Sequence, residues 1–170
     1  MYWLSVTARA ALILMLAAPL APAKGKKHTH PDGFSFELPS GWTAENGPDA
    51  VLLLPPGVKV DPSREDNAEV YTVRASRVEA ADFVNSMRIN LERSGVKVAA
   101  TDETFKGGQG MGTMHIFDFD HPERKVAYRI RLFTVLVKGW RLTLVGRGLR
   151  EKVSGREGQL REIARSMEGR

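Results

Sequence analysis

The sequence predicts an α+β fold, an α/β/α sandwich whose central antiparallel sheet is covered by one helix from the middle of the chain and one from its end. Three observations carry that expectation. Thr113 to Asp120, Lys125 to Val137 and Trp140 to Leu149 read as consecutive strands joined by short turns. Paired on paper, they leave apolar rows on both faces, so both faces need a cover. Two other segments carry apolar stripes at helical spacing and can supply it.

The elements follow in order. Lys24 to His30 is polar and basic and reads as a flexible leader ahead of Gly33, where order begins. Phe34 to Leu38 alternates apolar and polar residues, the pattern of a half-buried strand. Pro39, Ser40 and Gly41 turn the chain, and Trp42 starts its return. Ala50 to Leu54 is a short buried strand stopped by Pro55, Pro56 and Gly57. Val58 to Asn67 is a polar loop, and Glu69 to Ser76 is again β-rich. The period then changes: Ala80, Phe83, Val84, Met87 and Leu91 form one helical stripe, with Gly95 placed to stop it. Val96 to Lys106 reads as extended, and Gly107 to Gly112 as a glycine-rich connection or bulge. Ser154 and Glu157 have capping-box spacing at the start of a closing helix, whose apolar stripe is Leu160, Ile163, Ala164 and Met167.

The turns set the strand registers. Lys138-Gly139 suits a two-residue type I′ turn, which places Val137 opposite Trp140, Val135 opposite Leu142 and Phe133 opposite Leu144. If Asp120 faces Lys125, then Phe119 faces Val126 and Phe117 faces Tyr128. One face then carries Trp140, Leu142, Leu144, Phe133 and Val135. The other carries Phe117, Phe119, Tyr128, Val126 and Ile130. Trp42 and Trp140 fit these apolar rows and are read as core residues.

The N-terminal residues carry an address. Residues 1–23 hold one charge, Arg9, then an apolar run from Ala10 to Ala18, and close on Ala21-Pro22-Ala23. That is the layout of a secretory signal peptide, cut before Lys24. The expected organisation is a signal peptide at 1–23, a flexible basic leader at 24–32 and a single domain at 33–170. The apolar run is shorter than a bilayer span, and no later segment is a transmembrane candidate. The mature chain is therefore expected to be soluble, in the periplasm or outside the cell. The net charge of +5 comes from charges of both signs mixed along the chain, which gives no nucleic-acid signature. There is no cysteine, so thiol chemistry, disulfides and a lipid-anchoring thiol are all excluded.

The run from Phe34 to Trp42, FSFELPSGW, resembles the F-x-F-x-x-P-x-G-W opening of the PsbP-like superfamily and its bacterial DcrB-like relatives. The order of elements after it is similar, and Ile163 to Ser166 resembles the I-x-x-S signature of the closing helix. The resemblance spans roughly residues 33 to 168 and rests on short structural motifs. It implies an accessory or partner-binding role without catalysis. The absent cysteine departs from the lipoprotein members.

Candidate chemistry is sparse. Asp118 and Asp120 share one face at a strand end, and His121 follows, which could offer two carboxylates and an imidazole to a metal ion. Ion pairing of Asp120 with Lys125 and of Asp118 with the diagonal Arg129 accounts for both acids without a metal. His28 and His30 could bind copper or zinc weakly, but Lys24, Lys26 and Lys27 disfavour a cation there. The glycine cluster leads into a strand and not a helix N-terminus, so it is no phosphate loop. Asp61 to Asn67 lacks calcium-loop spacing, and no G-x-S-x-G elbow appears.

The expected function is an exported, soluble accessory domain without a cofactor, whose partner is a protein or envelope component. The alternatives are a metal-dependent hydrolytic enzyme using Asp118, Asp120 and His121, or a weak periplasmic metal binder. N-terminal sequencing of exported material checks the address: the first residue found should be Lys24, and a product still beginning at Met1 would indicate an uncleaved anchor.

Overall fold

The computed structural model describes residues 25–60, 68–78, 82–94, 96–107, 109–121 and 123–169. The expected signal peptide, Ala80 and the helix stop at Gly95 lie outside the described residues. Strands β3 (Thr43–Asn46), β4 (Val51–Leu54), β5 (Glu69–Arg77), β6 (Ala99–Gly107), β7 (Gly110–Asp120), β8 (Ala127–Val137) and β9 (Trp140–Leu149) form an antiparallel seven-stranded sheet, ordered β3-β4-β5-β9-β8-β7-β6. A second sheet, β1-β2-β10, joins β1 (Lys26–Thr29), β2 (Phe34–Leu38) and β10 (Glu168–Gly169). Helix α1 (Phe83–Arg93) lies between β5 and β6 in sequence, and α2 (Arg150–Gly155) and α3 (Glu157–Arg165) follow β9.

The fold is the expected α+β arrangement around an antiparallel sheet, and its register was set by turn chemistry. Lys138 and Gly139 both have positive φ, 44° and 83°, the type I′ geometry. Val137 accordingly faces Trp140, Val135 faces Leu142 and Phe133 faces Leu144. The β7–β8 register differs by two residues: Asp120 faces Ala127, not Lys125, and Phe119 faces Tyr128. The turn is longer than the expected one. The His121 N–H donates to the Val126 carbonyl at 2.9 Å, the Lys125 N–H to the His121 carbonyl at 2.8 Å, and Lys125 takes a φ of 52°. A shift of two keeps every side chain on its expected face, because strand side chains repeat with period two.

Each face buries its own cluster. On the first, Phe133, Val135, Leu142 and Leu144 pack with Tyr71 and Val73 beneath Phe34 and Phe36 of β2 and Leu160 and Ile163 of α3. On the second, Phe117, Phe119, Ile130, Leu132 and Val145 pack beneath α1. Within α1 Val84 is buried, and Phe83, Met87 and Leu91 pack half-buried against that cluster. Asp82 caps α1, accepting hydrogen bonds from the Val84 N–H at 2.9 Å and the Asn85 N–H at 3.4 Å.

Four local expectations are corrected. The basic leader, expected without regular structure, contains strand β1: Lys26 pairs with Leu38 and Thr29 with Ser35. Its stability comes from backbone pairing and from His28 and His30 against Phe36 and Phe34, at 5.1 and 4.5 Å between ring centres. The first face is therefore covered by a small sheet as well as by the closing helices. Ser154 does not cap the closing helix. It donates to the Arg150 carbonyl at 2.6 Å inside α2, and the helical run breaks at Arg156. Trp140 is half-buried and not in the core, with the Arg77 guanidinium 4.0 Å from its ring centre. Strand β6 begins at Ala99, so Val96 to Val98 stand outside the sheet.

The sequence motifs have structural work. Ser166 accepts the Glu37 N–H at 2.8 Å and donates to the Ile163 carbonyl at 2.7 Å, which fastens the end of α3 to β2. Gly112 gives room to an aromatic ring: a Cβ there would lie 2.5 Å from Phe105, its partner across the ladder. Phe105 in turn meets Phe133 edge-on at 5.7 Å. Phe133→Ala should cost about 3–5 kcal/mol in denaturant unfolding, the range for a core aromatic. Trp140→Ala should cost less than half of that, and equal losses would place Trp140 in the core.

Candidate functional site

Where β6 begins, the sheet edge has a notch. The β6–β7 ladder begins at Ala99 opposite Asp118, whereas β7 runs on to Asp120, paired with Ala127 of β8. Val96 to Val98, just ahead of β6, have no ladder partner on β7. The resulting groove has a volume of about 750 Å³ and is lined by Ser94, Val96 to Ala99, Asp118 to Asp120 and Arg150.

Its polar wall is built by the strand alternation. Arg129 and Arg131 occupy the same face of β8 as Phe133 and Val135, so both guanidinium groups enter the layer beneath α2 and α3. Arg129 sits directly opposite Asp118 and grips both its oxygens, Nε to Oδ1 at 2.6 Å and Nη2 to Oδ2 at 2.5 Å. Its Nη1 donates to Ser154 of α2 at 2.7 Å. Arg150, at the start of α2, places Nε 3.6 Å from Asp118 Oδ1, an ion pair beyond hydrogen-bond distance. The hydrogen bonds from Arg129 and the charges of Arg129, Arg150 and Arg131 hold the Asp118 carboxyl below the usual range, against the opposing effect of burial.

Arg131 lies deeper, 2 % exposed. Its Nη1 is 2.8 Å from Glu157 Oε2, an ion pair without hydrogen-bond alignment. The Nε atoms of Arg131 and Arg150 are buried with no hydrogen-bond partner among the described residues. Glu157 also accepts from Arg161 at 3.1 Å, and Arg161 reaches Glu103 at 3.4 Å. Burial pushes the Glu157 carboxyl up, but Arg161 and Arg131 outweigh it and hold it low.

Of the sequence-predicted residues, Asp118 and Asp120 line the groove and His121 does not. His121 meets Tyr128 edge-on at 5.8 Å, and its Nδ1 accepts the Arg124 N–H at 3.4 Å. Asp120 is exposed and opposite Ala127, so its expected pairing with Lys125 does not form; Asp118 pairs with Arg129 across the ladder and not diagonally. Among the described residues, no group of three or more His, Asp or Glu side chains is placed to hold a metal ion. The leader histidines have separate partners: His28 Nε2 is 3.0 Å from Asn46 Oδ1, and His30 Nδ1 accepts the Asp32 N–H at 3.2 Å. Arg131 and Arg150 were missed from sequence. The available signal was the parity of β8, which puts Arg129 and Arg131 in the row of Phe133 and Val135.

Two further polar clusters fasten elements to one another. Tyr71 donates to the buried Glu69 at 2.5 Å, Arg156 approaches both Glu69 oxygens at 3.4 Å, and burial followed by Glu69 pushes the Tyr71 phenol up. His115 Nδ1 is 2.7 Å from Asp102 Oδ1, and Arg88 of α1 reaches the same carboxylate at 3.0 Å.

The lowered Asp118 value fixes a sign. A carboxyl depressed in the folded state adds stability above its unfolded titration, near pH ~4, and loses it as pH falls toward the folded value. Asp118→Asn should cost about 2 kcal/mol at pH 7, within the range for charged hydrogen bonds in a part-buried pair. The gap between variant and wild type should close as pH falls below ~4 in pH-dependent chemical denaturation.

No protein-family model matches the chain, and no curated protein matches it. Solved structures do. The solution structure of cyanobacterial PsbP (CyanoP) from Synechocystis sp. superposes with a TM-score of 0.51 at 12 % identity, over 92 % of this chain and 99 % of that one. The crystal structure of LpqN, described as involved in cell envelope biogenesis of Mycobacterium tuberculosis, superposes with a TM-score of 0.52 at 12 % identity, over 84 % of this chain and 88 % of that one. The chain has the PsbP-like fold.

Proposed function

We propose that this chain is an exported accessory domain that binds a protein of the cell envelope through the groove beside β7 and carries out no chemistry of its own. The observation that carries this reading is the commitment of the groove's central ionisable groups to one another. Both oxygens of Asp118 are held by Arg129, and the carboxylate is kept ionised, which suits recognition and not proton transfer. The groove combines that fixed charge with Lys97, Asp120 and the apolar Val96, Val98 and Phe119, a composition suited to a polypeptide surface. Residues 1–23 supply the export signal in this reading, and the domain follows in the periplasm or outside the cell. The envelope role stated for LpqN agrees with such an address. No described helix is long and apolar enough to cross a membrane.

The test is a double charge reversal, Lys97→Glu with Arg150→Glu, against the distant exposed control Lys59→Glu. Cross-linked partners from the envelope fraction are quantified by mass spectrometry. The groove variant should lose its specific partner by about tenfold or more, as reversal of interfacial charges does, while the control retains it. Chelator should leave both partner recovery and the wild-type melt unchanged. A chelator-induced fall of several degrees, absent in His121→Ala, would move the reading to a metal-dependent site.

A further inference from the structure

The notch leaves β7 with an open backbone edge. Phe119 and Asp120 pair with Tyr128 and Ala127 of β8, but among the described residues no strand pairs with them on the other side. The His121 N–H points toward β8, where it donates to Val126. Alternation along an antiparallel strand turns the backbone N–H and C=O of Asp120 the opposite way, into the groove. Continuation of the β6–β7 ladder would have put Val98 and Lys97 opposite Phe119 and Asp120, but both residues stand outside the sheet and line the groove with them.

The side chains beside this edge are short of negative charge. Arg129, Arg131 and Arg150 surround Asp118, with Glu157 the further acid on Arg131. Arg150 lines the groove, and its buried Nε lacks a hydrogen-bond partner among the described residues. Lys97 adds a cation on one wall and Asp120 an acid on the other, so an incoming carboxylate has to reach past Asp120 to Arg150. The remaining lining at Val96, Val98 and Phe119 is apolar. By contrast, the outer edge of β6 carries Asp102, Glu103 and Lys106, the charges that discourage strand pairing.

We propose that an extended segment of the partner protein adds a short strand to the open edge of β7 at Phe119–Asp120 and sets a carboxylate against Arg150. This rests on the reading of the groove as the docking surface and states how the docking is done. The backbone of the segment takes the ladder position that Val98 and Lys97 leave vacant, its successive side chains meet Phe119 on one face and Arg150 on the other, and β-strand addition gives affinity through main-chain hydrogen bonds. The volume of about 750 Å³ lies within the usual range of ligand sites.

The probes are three blocked pentapeptides at millimolar concentration: TVEVT, its neutral counterpart TVQVT, and TVEVT methylated on its central backbone nitrogens. Binding to the ¹⁵N-labelled mature chain is followed by amide chemical shifts. TVEVT should shift the amides of Phe119, Asp120 and Lys97 to Ala99, and bind about fivefold or more tightly than TVQVT, as a charge-assisted hydrogen bond permits. That preference should vanish in Arg150→Gln, and the methylated peptide should give no shifts at these amides. Absence of shifts with TVEVT, shifts confined to residues 101–107, or equal binding of the methylated peptide would overturn strand addition. If partner recovery fell in the charge-reversed variant while the peptides left Asp120 undisturbed, the binding-domain reading would stand without this mode. If the peptides behaved as expected while partner recovery was insensitive to charge reversal, strand addition would stand and the assignment of the envelope partner would fall.

Discussion

A sheet with apolar side chains on both faces cannot stand alone, and that constraint organises this chain. Strand β8 buries Phe133 and Val135 on one side and Ile130 and Leu132 on the other. Each side must exclude water, and the two covers are unequal. The first face receives a small sheet and two helical segments, so its residues are almost wholly buried. The second receives α1, of which Val84 is the buried residue. The termini of the described domain meet on the better-covered face, where β1 and β10 flank β2 and Lys27 pairs with Glu168 at 2.7 Å.

The polar site is a product of the same strands. Parity carries Arg129 and Arg131 onto the face that holds Phe133, where a guanidinium has little access to water. Such groups persist when acids accompany them, and Asp118 and Glu157 are those acids. Asp118 is supplied by the neighbouring strand and Glu157 by α3, so the charge network spans the layers it lies between. Arg150 completes the ring from the first residue of α2, where the chain leaves the sheet.

The legible part of the sequence was the part governed by local geometry. Lys138-Gly139 dictated a turn, the turn dictated a register, and the β8–β9 pairs followed residue by residue. The β7–β8 register slipped because His121 to Val126 close a longer turn, and period two protected the faces from that error. Strand β1 was illegible because Lys26 to Thr29 contribute backbone and few buried atoms, so no apolar pattern marks them. The break at Arg156 was illegible because Leu160, Ile163 and Ala164 continue a stripe that Val153 begins. At the site, the pairing of Asp118 with Arg129 could be read from alternation. The notch could not: Val96 and Val98 look like strand residues, and their exclusion from the ladder reflects packing against the Phe117 and Phe119 cluster.

That packing gives α1 a second consequence. The helix is fastened at one end by the Asp82 cap and along its length by Val84 and the Arg88–Asp102–His115 contacts, which are mostly near solvent. Elements held by few buried contacts open at lower free energy than the core, as cooperative units of their own. Ser94 ends this helix, and the chain from Val96 to Ala99 that walls the groove is its direct continuation. The groove thus has one wall made of the central sheet and another that shares the fate of the least anchored helix. Local opening of α1 would reach that wall, with slow amide exchange in β7 and fast exchange in α1 on the two sides of a single cleft.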